Sequence, residues 1–191
     1  LPYSAVVGSE QLFHLPGFLS MKLTLTPEVI SAENFAPYGE LISAHNTPIM
    51  INDGNTERYH RLGNVTVGPD EQQGQGILSI FRGQPRTLPM NIRMMERHPL
   101  GSQAFLPASD EPYLVLVCLS HEVNGKEEPD PATFKLFVAQ GEGVNYPANC
   151  WHHPLLAINK VSDFWIVDRM GPGNNLEEFF FPDDWQIDIS M

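Results

Sequence analysis

Prolines and glycines interrupt this chain so often that they leave room for short strands and turns rather than for long helices. The sequence holds 17 prolines and 15 glycines among 191 residues. A proline inside a helix costs about 3 kcal/mol, because it removes a backbone donor and clashes with the preceding turn. The segments between them are rich in β-branched and aromatic residues, as strands are. The strands predicted in this way are 63–68, 77–83, 90–96, 113–120, 133–139 and 163–169.

The connections between these segments are too short for the crossover helices of a parallel sheet. Turn residues cluster in NDGN (52–55), NGKEEPDP (124–131) and GPGNN (171–175). Closely spaced short strands of this kind predict an all-β sandwich or small barrel. Two short helices are also predicted, one over AENFAPYG with Ser31 as its N-cap and one near residues 174–182.

The charge of the chain argues against a nucleic-acid partner. The formal net charge is −12 at pH 7, whereas binding to phosphate backbones needs a basic surface. No stretch reaches the roughly 18 apolar residues of a membrane helix, so no membrane partner is expected. A small anionic substrate remains compatible, because a local group of Arg or His side chains can override the overall field. Cys118 and Cys150 lie in apolar runs without a CxxC pair, so we expect reduced thiols and a cytoplasmic protein.

The first twenty residues differ from the rest of the chain. They contain no Lys or Arg, so they lack the positive region of a signal peptide. Met21 then opens the strand-like stretch MKLTLTPEVI. We interpret residues 1–20 as an upstream extension or cloning remnant, with a native arm packed on the domain as the alternative, and residues 21–191 as a single domain.

Two polar side chains share one face in the stretch ERHPLGSQAFLP (96–107). Glu96 and His98 are two residues apart, so a strand points both to the same side. A regular strand would place Gln103 on the opposite side. A bulge at PLG would add one residue and turn Gln103 back towards the other two.

Two adjacent histidines occupy the stretch GEGVNYPANCWHHPL (141–155). Neighbouring strand residues face opposite sides, so only one of His152 and His153 can point into a barrel. Together with Glu96, His98 and Gln103 it would supply imidazole, carboxylate and amide donors. Such donors suit a divalent first-row metal such as nickel, manganese, iron or zinc.

The spacing of these residues resembles the two motifs of the cupin superfamily. The first motif has the form HxH, three or four residues, then E, and Glu96-x-His98 followed by Gln103 has this spacing. The second has the form G, five residues, PxG, two residues, H, and Gly141, Pro147, Asn149 and His152 have this spacing. The resemblance implies a cupin-type double-stranded β-helix barrel in which His152 is a ligand and His153 is its outward neighbour.

A narrower resemblance is to the ureidoglycolate lyase family of allantoin breakdown. It rests on INDGNTERYHRL (51–62), ERHPLGSQAFLP, GVNYPANCWHHPL and DFWIVDR (163–169). The resemblance implies a cupin-fold homodimer that releases urea and glyoxylate from (S)-ureidoglycolate, and it associates the family with nickel. A metal would be held by His98, Gln103, His152 and, as a fourth ligand, Glu96.

Cleavage of ureidoglycolate needs a base for the hydroxyl proton, an acid for the departing urea nitrogen and a cation near the carboxylate. Glu96 is the candidate base if it is not a ligand. His153 or His60 is the candidate second proton carrier. The alternatives left open are an amidohydrolase that releases ammonia from the same substrate, and a non-catalytic cupin that binds a small carboxylate.

Substrate contacts are predicted at four further residues. Arg58 is the candidate carboxylate clamp, because a guanidinium binds a carboxylate with two hydrogen bonds. Asn52, Tyr146 and Arg169 are the other candidates. Asp168 beside Arg169 at the end of a strand is interpreted as one half of a structural ion pair.

Overall fold

The computed structural model describes residues 20–191, and nearly all of their regular structure is extended. The expectation for residues 1–20 therefore falls, apart from Ser20, outside the described part of the chain. The strands are β1 Met21–Leu25, β2 Glu28–Val29, β3 Glu40–Ile42, β4 Ile49–Ile51, β5 Thr56–Arg58, β6 Gln75–Gly83, β7 Met90–Asn91, β8 Met94–Arg97, β9 Gln103–Pro107, β10 Tyr113–Cys118, β11 Ser120–Val123, β12 Lys126–Pro129, β13 Lys135–Ala139, β14 Gly143–Tyr146, β15 Trp151–His152, β16 Leu156–Ala157, β17 Ser162–Met170, β18 Glu177–Phe180 and β19 Trp185–Ile189.

The strands form three stacked layers. A five-stranded sheet has the order β3-β14-β9-β17-β6, and a seven-stranded sheet has the order β18-β8-β15-β10-β13-β2, with β16 also paired to β10. A small sheet, β1-β19-β7, forms the third layer, and β4-β5 and β11-β12 are two-stranded hairpins. The prediction of an all-β protein is confirmed, and the two large facing sheets agree with a cupin-like barrel.

Strand β10 lies between two apolar cores. Its side chains at Tyr113, Val115 and Val117 contribute to the core between the two large sheets. Alternate residues, Leu114 and Leu116, contribute to a second core against the small sheet. Because both faces of β10 are buried, both must be apolar. This explains the unbroken apolar run YLVLVC in place of a polar–apolar alternation.

Of the two predicted helices, the one after Ser31 is confirmed and the one near residues 174–182 is wrong. Helix α1, Ala32–Phe35, begins at Ser31, whose hydroxyl accepts from the backbone of Asn34 while the Asn34 side chain accepts from the backbone of Ser31. The helix has one turn rather than two, and two 3₁₀ turns occur at Asp70–Gln72 and Pro131–Thr133. The helix predicted near 174–182 is instead β18, because this stretch pairs antiparallel with β8 and alternates in exposure.

Two predicted strands also differ in the structure. Residues 63–68 form no strand and run as an irregular segment, in which Ser102 N–H donates to Thr66 O and Thr66 N–H donates to Ser102 Oγ. The stretch 90–96 is divided between β7 and β8, which belong to different sheets. Among the described helices, none has the length and hydropathy needed to span a membrane.

The guanidinium of Arg97 ties β8 to two neighbouring elements. It contacts Glu127 on β12 at 2.6 Å and Glu177 on β18 at 2.7 Å, and its side chain is only 10% exposed. It also lies 4.6 Å from the ring centre of Trp151. Arg97 therefore stabilises β8 from its outer face, while the neighbouring residue Glu96 lies on the inner face of the same strand.

Replacing Arg97 with Ala should lower the free energy of unfolding by about 2 kcal/mol, because two charge-assisted hydrogen bonds and the Trp151 contact are lost together. The matched control is Arg82→Ala, since Arg82 also binds a carboxylate, that of Asp163, but its side chain is 67% exposed. Exposed pairs contribute little. Urea denaturation measures both variants, and equal losses in the two would contradict this account.

Candidate active site

Three ionisable side chains converge inside the barrel. The ligand atoms of Glu96, His98 and His152 all lie within 4.8 Å of one another. Glu96 on β8 and His152 on β15 are cross-strand partners, with Nε2 of the imidazole 3.5 Å from Oε1 of the carboxylate. The two imidazole rings are 5.3 Å apart between their centres. We call these three residues the triad.

The connection between β8 and β9 turns Gln103 towards the triad. The predicted bulge at PLG does not occur, because the chain leaves the seven-stranded sheet after Arg97 and enters the five-stranded sheet at Gln103. Facing sheets share one interior, so both strands direct side chains into it. The crossing needs a glycine at Gly101, where a Cβ would lie 2.8 Å from the Cβ of Arg169.

The second motif is tied to the first through its backbone. Asn149 has a positive φ of 67°, a conformation that Asn and Gly adopt at lower cost than other residues. Its backbone N–H donates to the carbonyl of His98 at 3.0 Å. The turn at Pro147–Cys150 therefore fixes the distance between the segments that carry His98 and His152.

Backbone carbonyls set the tautomers of both triad histidines. Nδ1 of His98 is 2.7 Å from the carbonyl of Asn175, and Nδ1 of His152 is 2.9 Å from the carbonyl of Cys150. A carbonyl can only accept, so Nδ1 carries the proton in each ring and Nε2 of the neutral ring keeps its lone pair. Both Nε2 atoms are buried and have no hydrogen-bond partner within residues 20–191, an arrangement typical of metal-ligating histidines.

The charges of the triad suit this role. Burial lowers the pKa of His98, with the neighbouring His152 adding to the effect, so the ring is neutral near pH 7. Burial alone would raise the pKa of Glu96, but the neighbouring imidazoles, His152 above all, outweigh it and lower that pKa below its ordinary value. The site thus presents lone pairs and a carboxylate, and the donor set fits a divalent metal ion.

Two other predicted site residues lie beside the triad. Tyr146 stacks on His152 with 4.2 Å between ring centres and 9° between planes, so it restricts the orientation of that ring. His153 is outside the triad but does not face solvent, since it is only 8% exposed. Its Nδ1 donates to the carbonyl of Pro154 at 2.8 Å, and burial lowers its pKa.

Gln103 and Asp168 contribute further polar atoms to the interior. Gln103 Nε2 donates to Asp168 Oδ2 at 3.4 Å, and the amide also contacts His98. Sequence reasoning missed Asp168 as a site residue because it interpreted this aspartate as the ion-pair partner of Arg169. The alternation along β17 was the signal that could have found it, since Phe164 and Ile166 are buried in the core between the large sheets and Asp168 is the next residue on that side.

The predicted ion pair of Asp168 with Arg169 is wrong. Adjacent strand residues face opposite sides, and the guanidinium of Arg169 donates to the carbonyls of Val67, Gln72 and Pro172. Arg169 therefore holds the loops beside the five-stranded sheet, and the structure does not bring it to the triad.

The β4-β5 hairpin and the residues after it carry the three remaining predicted residues. Asn52, Arg58 and His60 are all exposed. Asn52 lies in the turn with a φ of 51°, and its side chain donates to Thr56. The structure does not bring any of the three to the triad, so their substrate and proton-transfer roles stay predictions.

Comparison with known proteins links this site to one family. The family model described as ureidoglycolate lyase matches residues 22–188. A protein from Rhizobium meliloti named ureidoglycolate lyase 1 is 47% identical over 170 residues, which cover 87% of this chain and 95% of the relative. Ureidoglycolate lyases from Brucella anthropi and Pseudomonas fluorescens are 48% and 45% identical, covering 84% and 86% of this chain and 91% and 95% of the relatives. The chain therefore belongs to the ureidoglycolate lyase family.

Proposed function

We propose that this protein is a carbon–nitrogen lyase that cleaves (S)-ureidoglycolate to glyoxylate and urea in the breakdown of allantoin. The observation that carries the proposal is the triad, in which a carboxylate lies beside two imidazole Nε2 atoms that have no hydrogen-bond partner among the described residues. Membership of the ureidoglycolate lyase family supports the choice of substrate.

The reaction moves one proton off the substrate and one onto it. The hydroxyl of the carbinol carbon loses a proton as its oxygen becomes the aldehyde of glyoxylate. The C–N bond breaks, its electron pair stays on nitrogen, and that nitrogen takes up a proton to become urea. Glu96 is the base in this proposal, because its lowered pKa keeps it ionised at neutral pH. The second proton carrier is His153, which is the buried one of the two histidines predicted for that role.

The triad is also the place where a metal would be held, through Nε2 of His98 and Nε2 of His152, with the carboxylate of Glu96 beside them as the base. A divalent ion there, such as Ni²⁺, would supply positive charge for the carboxylate and hydroxyl of the substrate. Gln103 Oε1 is buried beside His98 and has no hydrogen-bond partner among residues 20–191. This oxygen is thus available either as a further metal ligand or as a hydrogen-bond acceptor for the substrate.

Purified protein should release urea and glyoxylate in equal amounts from racemic ureidoglycolate, leaving the unreactive enantiomer. Glu96→Gln should lower kcat at least about 100-fold, because general base catalysis contributes about 10²–10⁴-fold. Urea and glyoxylate assays measure both. Ammonia without urea would assign the amidohydrolase reaction instead, and binding without turnover would assign a non-catalytic cupin. Unchanged turnover in the Glu96 variant would exclude Glu96 as the base.

Metal-stripped protein should bind one divalent ion per chain, as measured by titration calorimetry with Ni²⁺ and Zn²⁺. His152→Ala removes one of the two imidazole ligands and should weaken that affinity at least about 100-fold, since even outer partners of ligands change it by about 10–100-fold. His121→Ala is the control, because this histidine is exposed and lies 3.9 Å from Asp130, outside the triad. Equal affinity in the two variants would contradict a metal site at the triad.

We also propose that the protein is a cytoplasmic homodimer. Both cysteines are free thiols, which suits a reducing compartment. Strand β6 is the last strand of the five-stranded sheet, and its Leu78 and Ile80 are 76% and 53% exposed beside Trp165 at 52%. A long apolar edge strand of this kind requires a cover.

Light scattering should report twice the 21.4 kDa mass of one chain. Ile80→Lys should shift the protein towards the monomer, because a charge would be buried at the interface. The matched control is Val29→Lys, since Val29 is also exposed and lies on β2 at the edge of the other large sheet. A dimer that tolerates Ile80→Lys as well as the control would place the interface elsewhere.

A further inference from the structure

Gln103 and Asp168 form a polar pair next to the triad. Gln103 is the first residue of β9 and is 6% exposed, and Asp168 lies on the adjoining strand β17, one residue beyond the registered partners Val167 and Ala104. The amide of Gln103 donates to Oδ2 of Asp168 at 3.4 Å. This contact fixes the amide so that its nitrogen faces β17 and its oxygen faces away from Asp168.

Two acceptor atoms of this pair are left without donors. Gln103 Oε1 and Asp168 Oδ1 are both buried, and neither has a hydrogen-bond partner among the described residues. A buried acceptor without a donor lowers stability, so each such atom calls for an explanation, and beside an active site a bound ligand supplies one. What they lack is specifically an N–H or O–H donor.

The two ends of ureidoglycolate differ in what they offer. The hydroxyl and carboxylate end offers only one donor, its O–H, beside a negative charge that two free acceptors would repel. The ureido end carries three N–H bonds, one on the nitrogen that leaves and two on the terminal nitrogen. Only the ureido end can satisfy Gln103 Oε1 and Asp168 Oδ1 at the same time.

We propose that Gln103 and Asp168 bind the ureido N–H groups of the substrate, so that the leaving urea lies against β9 and β17 while the hydroxyl and carboxylate face the triad. This inference rests on the proposed function and deepens it by setting the direction of the substrate. It assigns Gln103 to the substrate rather than to the metal, and it gives Asp168 a direct role in recognition.

Binding of two unreactive probes tests this orientation. N-Carbamoylglycine keeps the ureido group and the carboxylate but lacks the hydroxyl, so it cannot be cleaved. Glycolate keeps the hydroxyl and the carboxylate but lacks the ureido group. Calorimetry on metal-loaded protein then compares the wild type with Asp168→Asn, which keeps the size of the side chain but places an N–H₂ group where a free oxygen stood.

Asp168→Asn should weaken binding of N-carbamoylglycine about tenfold or more, since one charge-assisted hydrogen bond is lost and donors face donors. Its affinities for glycolate and for the metal should stay within about twofold. Gln103→Leu should behave in the same way. The control is Asp163→Asn on the same strand, whose carboxylate binds the exposed Arg82, and it should leave both probes unchanged.

Two results would overturn the inference. Equal losses for both probes would show that the pair does not distinguish the ureido end, and loss of metal in either variant would show that it acts through the triad. These measurements do not depend on turnover. A wild-type protein that released no urea would therefore overturn the proposed function. The comparison of N-carbamoylglycine with glycolate would still show whether Gln103 and Asp168 bind the ureido group.

Discussion

The hydrogen bonds from Nδ1 of His98 and His152 to backbone carbonyls determine what this barrel can hold. The acceptors belong to Asn175 and Cys150, which lie on the connections that precede β18 and β15. Because these carbonyls hold the Nδ1 protons, both Nε2 lone pairs point into the interior, where burial keeps His98 neutral near pH 7. The stacking of Tyr146 on His152 then restricts the second ring. The position of the site therefore depends on loops and strand ends as much as on the triad side chains.

The interior combines strong apolar packing with polar atoms that lack partners. Between the same two sheets, Phe137, Val144 and Ile166 are fully buried. Four buried polar atoms nearby have no hydrogen-bond partner in the part of the chain that the structure describes: His98 Nε2, His152 Nε2, Gln103 Oε1 and Asp168 Oδ1. Each costs about 1–3 kcal/mol in the free protein. The surrounding core offsets this cost, and binding of a metal and substrate would recover it.

Much of the fold could be predicted from local sequence, and the failures have physical reasons. Strands β10 and β17 are predicted correctly from the run YLVLVC and the segment around Trp165, because strand periodicity and side-chain type agree there. The segment 63–68 has the residue types of a strand, but it has no neighbour in a sheet and bonds instead to Ser102. The stretch 174–182 contains the helix-forming residues Leu176 and Glu177, but pairing with β8 makes it extended.

The candidate site was only partly accessible to sequence reasoning. The spacing of the two cupin-like motifs marked the segments that carry Glu96, His98 and His152, which the structure brings together. Asp168 was missed because it was interpreted as part of an ion pair with Arg169, and its pairing with Gln103 depends on the register of β17 against β9. Arg169 was grouped with the site although its guanidinium is occupied by loop carbonyls. Long-range register and loop contacts are properties of the folded chain, and no short motif encodes them.

The most direct test of this account is the protonation of the two triad histidines, observed by ¹H–¹⁵N NMR of the imidazole rings before and after addition of Zn²⁺. The account predicts that Nδ1 carries the proton in His98 and in His152 of the metal-free protein. It also predicts that one equivalent of Zn²⁺ shifts both Nε2 resonances together. A proton on Nε2 in either neutral ring, or a shift confined to one ring, would contradict it.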